Sequence, residues 1–204
     1  MRGLGDVWNN AGSLDPEMRS RMDFEHSRGV LLAHFEHYRR QWPDEEATQH
    51  FVELLATGQR CFERAARDAH FTGSAWLVSA DGERVLLTHH RKLERWLQLG
   101  GHADGDSDLA RVALREAEEE SGLDDLSVVP EPFDLDRHRI PARGDEPDHW
   151  HYDVRYVVRA GSNERFVLSE ESHALAWRPV REIADDPASD VSLRRMARKW
   201  LRRG

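Results

Sequence analysis

The chain has 204 residues, 39% of them hydrophobic and 33% charged, which is enough length for one domain with an extension and a real core. Acids outnumber bases 38 to 29, and the formal net charge of −9 argues against a protein that coats bulk nucleic acid with a basic face. Apolar runs reach only four residues, as in Ala75-Trp76-Leu77-Val78, so the sequence predicts neither a membrane span nor a signal peptide. Cys61 is the only cysteine, which excludes an internal disulfide and a cysteine-rich zinc site and points to the cytoplasm.

Residues 1–16, rich in Gly, Asn and Ser, read as a loose arm. Three helical patterns follow. Val30, Leu31, Leu32, Phe35 and Tyr38 fall near one face, and Trp42-Pro43 ends that helix. Asp44 is placed to cap a second, with Ala47, Phe51, Leu54 and Leu55 as its stripe and Gly58 as its stop. Cys61, Phe62, Ala65 and Ala69 form the third, where Cys61 reads as a small buried hydrophobe. These helices are expected to pack on the main domain or on a second subunit, which keeps a homodimer open.

The pattern changes at Phe71-Thr72-Gly73. Strand-like runs at 75–79 and 84–88 flank Asp81-Gly82, a hairpin-turn signal. His89, His90, Arg91, Lys92 and Arg95 make the following loop basic, either a phosphate clamp or a plain exposed loop. A helix is expected over about 108–121, and strands over 127–129, 149–159 and 174–178. Pro141, Gly144 and Pro147 mark a long loop between the first two of these strands. A last helix, 192–201, puts Leu193, Met196, Trp200 and Leu201 on one face. Its other face holds Arg194, Arg195, Arg198, Lys199, Arg202 and Arg203, read as solvated. Mixed strands and helices predict an α/β layered domain preceded by helices.

The most informative stretch is 101–123. Glu116, Glu119 and Glu120 are spaced i, i+3, i+4 and share one helix face. Like charges at that spacing destabilise a helix, and a hard divalent cation would reverse the effect by drawing carboxylate oxygens together. Leu109, Val112, Ala113 and Ala117 supply the buried side. Gly122 suits a left-handed C-terminal cap closed by Leu123. Gly100 and Gly101 let a backbone carbonyl approach a metal or phosphate closely. This stretch holds seven acids and two arginines, a net −5, so over half of the chain's acidity is local to it.

Gly101, Arg115, Glu116, Glu119, Glu120, Gly122 and Leu123 stand at the spacings G-x5-E-x7-R-E-U-x-E-E-x-G-U, where U is bulky and aliphatic. The stretch resembles the signature of the Nudix hydrolase family. Two positions depart. Ala117 is smaller than the usual aliphatic residue, and Ser107 stands where the family has its first glutamate. Asp106 or Asp108 is a candidate substitute by a one-residue shift, and Ser107 itself suits a helix N-cap.

The resemblance implies a Nudix-type α/β/α sandwich with a mixed sheet over 71–204, preceded by a helical extension over 1–70. It implies an enzyme that hydrolyses a diphosphate linkage in a nucleoside diphosphate joined to another group, with Mg²⁺ or Mn²⁺ as cofactor. Glu119, Glu120, Glu116 and the Gly101 carbonyl would be metal ligands. Glu116 is a ligand or the base that activates water, and Arg115 would orient the glutamates. Glu170 and Glu171 stand where members often place an extra acidic residue, or are plain surface loop. Alternatives are a non-catalytic nucleotide-binding module, which Ser107 keeps open, and an isoprenoid-diphosphate isomerase of the same fold. The isomerases use a cysteine near the glycine pair, and Cys61 lies far upstream.

Twelve histidines invite a further reading. Strand alternation puts His149, His151 and Asp153 on one face, as pocket lining, as a solvated strand or as a zinc site, in that order of preference. His102 follows the glycines and is expected to face the pocket. Lys92 is a candidate phosphate contact, and Trp96 and Trp150 are candidates to stack on a base or to join the core. The substrate expected is a small nucleotide-like diphosphate.

Overall fold

A computed structural model describes residues 15–90, 94–167 and 172–203. The order is α1 (Pro16–Gln41), α2 (Thr48–Leu55), a 3₁₀ turn (Gln59–Phe62), β1 (Ala69–Val78), β2 (Arg84–His90), β3 (Arg95–Leu97), β4 (Leu99–His102) and α3 (Leu109–Ser121). There follow β5 (Leu126–Ile140), β6 (His149–Ala160), β7 (Ser172–Pro179), α4 (Val180–Asp185) and α5 (Val191–Leu201). No helix among the described residues is long and apolar enough to cross a membrane.

The strands form one seven-stranded mixed sheet. Its central path is β3-β2-β1-β6-β5, with β4 added to β1 and β7 to β2. β1 and β6 run parallel, pairing His70 with His151 and Thr72 with Asp153. β4 runs antiparallel to β1, pairing Thr72 with His102 and Gly73 with Gly101. Helices cover both faces, giving the expected α/β/α sandwich. α3 lies on one face, where Val112 packs so closely that a Cβ on Gly73 would come within 2.9 Å of it. α4 and α5 cover the other, around Trp76, Leu87, Val157, Ile183, Leu193 and Met196.

The N-terminal helices extend the α3 layer. Phe35, Phe51 and Phe62 join Phe71 of β1 and Tyr152 of β6 in one core cluster. Phe62 stacks on Phe71 with ring centroids 5.2 Å apart, and Phe51 meets Tyr152 edge-on at 5.2 Å. Each such ring contributes about 1.5–3 kcal/mol by leaving water. Cys61 is buried among them, and burial pushes its thiol up to about 12, so it behaves as an inert hydrophobe. Several local expectations are corrected here. Helix α1 begins at Pro16, and the arm expected before it lies, over 1–14, outside the described residues. The third helical pattern is only a 3₁₀ turn, because β1 already begins at Ala69.

The expected short strand at 127–129 is the start of a fifteen-residue strand. Pro130 and Pro132 disguise it, since the β5–β6 register shifts around them and resumes at Asp134. That resumption matters for α5. The expected solvated basic face turns inward at two residues. Lys199 Nζ donates to Asp134 Oδ1 at 2.7 Å, and Arg195 Nη2 donates to Asp134 Oδ2 at 2.6 Å and to Asp136 Oδ1 at 2.8 Å. Arg155 adds contacts of 3.1 Å to Asp134 and 2.7 Å to Asp153. Asp134 is fully buried, so these cations are what its charge requires. Burial alone would raise its carboxyl, but Arg195, Arg155 and Lys199 overcome that and hold it below the usual range.

Candidate active site

The glutamate face begins with how α3 is started and stopped. Its N-cap is Asp108, not Ser107: the Asp108 carboxylate accepts from the Arg111 amide at 3.1 Å. Asp106 accepts from the Asp108 amide at 2.9 Å and from Arg111 Nε at 2.8 Å. Both candidate substitutes for the missing glutamate therefore serve Arg111 and the helix start. Gly122 ends α3 at φ 66°, donating its amide to the Glu118 carbonyl at 2.8 Å, with Leu123 buried behind it.

Between those ends, Leu109, Val112, Ala113 and Ala117 are buried against the sheet, while Glu116 and Glu120 reach the β4 backbone. Arg115 Nη2 donates to Glu116 Oε1 at 2.9 Å and to the His102 carbonyl at 3.1 Å, tying α3 to β4. The Gly100 amide donates to Glu120 Oε1 at 2.7 Å. Glu119 is exposed. Gly101 lies so close that a Cβ there would sit 2.4 Å from a Glu116 carboxylate oxygen, so any side chain at 101 would push that carboxylate aside. Burial, aided by Glu119 and Asp104, pushes the Glu116 carboxyl up from its ordinary value against the opposing pull of Arg115. A raised carboxyl beside an open carboxylate face is suited to accept a proton.

The histidines converge a short way along β4. The register of β1, β4 and β6 turns His70, His102 and His151 to one face of the sheet, and their ligand atoms lie within 4.8 Å of one another. His149 Nε2 stands 3.1 Å from His151 Nε2. Together with Arg64, Arg67 and Glu146 they line a cleft of about 310 Å³. Arg64 donates to Glu146 at 3.0 Å across its mouth. Burial pushes the His102 ring down to about 4 and the His151 ring down to about 2, with neighbouring histidines acting in the same sense. His70 is lowered too, again chiefly by burial. In all three the cause works toward the neutral ring.

The other expected site residues lie elsewhere. Asp153 shares the face of His151, but it is buried and spoken for: Thr72 Oγ1, Ser74 Oγ, Gln98 Nε2 and Arg155 Nε donate to it at 2.9, 2.7, 3.2 and 2.7 Å. Trp96 packs edge-on to His89 at 5.3 Å, in a separate cleft with Arg178 and Asp190. Trp150 faces the α1–α2 side, under the Arg137 guanidinium at 4.0 Å. Lys92, Glu170 and Glu171 fall outside the described residues. Sequence reasoning missed His70, Arg64 and Gln98. None stands in a local motif, and only long-range pairing brings them to the cleft or to Asp153.

A search of curated proteins finds no match. Among solved structures, a NUDIX-family hydrolase from Clostridium perfringens is similar at 23% identity and TM-score 0.52, over 66% of this chain and 98% of that one. The dihydroneopterin triphosphate pyrophosphohydrolase of E. coli is similar at 15% identity and TM-score 0.52, over 66% and 96%. An Ap4A hydrolase from C. elegans is similar at 15% identity and TM-score 0.50, over 65% and 95%. These likenesses speak for the fold. A family model, NUDIX domain, matches residues 70–200, well over half of the chain, and the chain therefore belongs to the NUDIX family.

Proposed function

We propose that the protein is a Mg²⁺- or Mn²⁺-dependent pyrophosphohydrolase that cleaves a diphosphate linkage in a nucleoside diphosphate joined to another group. The observation that carries this reading is the glutamate face of α3. Glu116, Glu119 and Glu120 share it, and the backbone of Gly101 presses against Glu116 where a Cβ would collide. Carboxylate and carbonyl oxygens are the donors a hard divalent cation takes, so the residues present fit such an ion. Glu119 and Glu120, with the Gly101 carbonyl, would hold it. When bound, the cation supplies neutralising charge for the phosphate oxygens.

The chain's own groups do the rest. Glu116, raised by burial, accepts the proton of the attacking water. Arg115 is a positioning residue that holds Glu116 and the β4 carbonyl of His102 in register. The group beyond the diphosphate lies in the histidine cleft, where Arg64, Arg67 and His149 meet it. Lys92 and Glu171, outside the described residues, are kept in this reading as candidate substrate contacts on their chemistry alone, and Trp96, in its separate cleft, is not. The same proposal places the enzyme in the cytoplasm, where the lone Cys61 stays reduced. It includes a homodimer through the N-terminal helices.

The test is release of phosphate or nucleotide from a panel of nucleoside diphosphate derivatives with Mg²⁺, for the parent and Glu120→Gln. We expect the variant to fold and to lose most of the activity. Equal rates would overturn the reading. An inactive parent that still binds nucleotides would favour the non-catalytic module that Ser107 keeps in play.

A further inference from the structure

We propose that His70, His102 and His151 form a second cation site, of a different chemical class, that binds one Zn²⁺-like ion at the floor of the cleft. It is separate from the glutamate face and does not depend on the activity proposed above.

Three observations carry it. First, the geometry is drawn from three strands at once. β1, β4 and β6 each contribute one ring, and the ligand atoms come within 4.8 Å of one another. Tetrahedral binding at about 2.0–2.1 Å per nitrogen needs ligand separations of about 3.3 Å. The rings must close by at most about 1.5 Å, within reach of small side-chain rotations. Second, His70 is 2% exposed, and its Nε2 has no hydrogen-bond partner. Its Nδ1 sits 3.2 Å from the Ala66 carbonyl, which makes Nδ1 the protonated nitrogen and leaves Nε2 a bare lone pair. A buried polar atom without a partner is costly, and a bound ion would satisfy it. A ligating histidine ordinarily gives its other N–H to a backbone carbonyl in this way. Third, the neighbourhood supports the rings. His149 Nδ1 lies 3.0 Å from the Pro147 carbonyl, which leaves its Nε2 to orient His151 at 3.1 Å. The His102 carbonyl is held by Arg115.

The donor set decides the ion. Imidazole nitrogens suit zinc and its neighbours in the first transition row, whereas Mg²⁺ takes oxygens. Asp153 supplies no ligand, because its carboxylate is engaged by Thr72, Ser74, Gln98 and Arg155. Three protein ligands leave the fourth position open. It faces the cleft rimmed by Arg64 and Arg67, and those cations suit an anionic fourth ligand, a phosphate oxygen among them.

The experiment is a Co²⁺ titration of the chelator-treated full-length protein, followed by displacement with Zn²⁺. The expected result is one equivalent with the intense visible bands of tetrahedral, nitrogen-ligated cobalt, lost on adding Zn²⁺. His102→Asn and His151→Asn should weaken binding by about a hundredfold or more, beyond what loss of an outer partner costs. Glu120→Gln should leave it unchanged. Weak octahedral bands alone in the parent, without the intense tetrahedral ones, would overturn the site, and this readout needs no variant to fold. Undiminished binding in a folded His102→Asn/His151→Asn double variant, or loss of binding in Glu120→Gln, would also overturn it. Loss of hydrolysis with Mg²⁺ in Glu120→Gln bears only on the pyrophosphohydrolase reading.

Discussion

The two faces of the sheet carry their charges in opposite ways. On the α3 side, three glutamates share a helix face with Arg115 as their nearby cation, and Glu119 stays in water. On the α5 side, Asp134 is fully buried but meets Arg155, Arg195 and Lys199. The first arrangement is an excess of acid that water screens at Glu119 and burial penalises at Glu116. The second is closed, because a buried charge persists only when paired. Acidity alone therefore does not mark a site. What distinguishes the α3 face is that its acids outnumber its cations at a partly exposed surface.

Removing one charge from each face should separate the two roles. Asp134→Asn strands the partly or wholly buried cations Arg155, Arg195 and Lys199, and we expect a stability loss of about 3–5 kcal/mol, read as a lowered midpoint in urea. If the midpoint barely moved, the closed network would not be holding α5 to β5. Glu120→Gln should do the reverse. Activity should fall by about a hundredfold, worth about 2.7 kcal/mol of barrier, with thermal stability unchanged or slightly raised as like-charge repulsion is relieved. A variant that unfolded would make the α3 face structural.

Acid should reach the closed network late. Burial would raise Asp136, but His138, Arg155 and Arg195 hold its carboxyl far below its ordinary 3.8. A depressed folded value means that its stabilisation is complete above that ordinary value and drains as pH falls below it. Asp136→Asn should cost about 2 kcal/mol near pH 5, and the gap from the parent should narrow near pH 3. A gap independent of pH would show that shape, not charge, is what Asp136 provides. The smallest effect sits at the edge of the open face. Gly101→Ala places a methyl into the Glu116 carboxylate, and about 1 kcal/mol of stability should go with a roughly tenfold loss of activity, from displacement of Glu116. Full activity in that variant would free Gly101 from its place beside Glu116.

What could be read in advance followed the range of the interactions. The Asp81-Gly82 hairpin and the span and glutamate stripe of α3, with its Gly122 stop, are local, set by turn chemistry and by a 3.6-residue period. The same reading missed most of β5, because two prolines interrupt its pattern while the pairing with β6 resumes beyond them. It took Arg195 and Lys199 as solvated, because a helix's own periodicity shows a basic face without showing Asp134 opposite it.

The histidines make the division plain. Alternation along β6 placed His149, His151 and Asp153 on one face, a property of a single strand. It could not supply His70 from β1, His102 from β4, or the donors that claim Asp153. Those residues lie up to 81 positions apart and meet only through the registers His70–His151 and Thr72–His102. The sequence by itself determined the family, the carboxylate helix and the alternating faces, because each is encoded within a few turns of chain. The tertiary structure alone decided which histidines converge and which charges are closed off, because strand register and helix docking bring together residues that no local period relates.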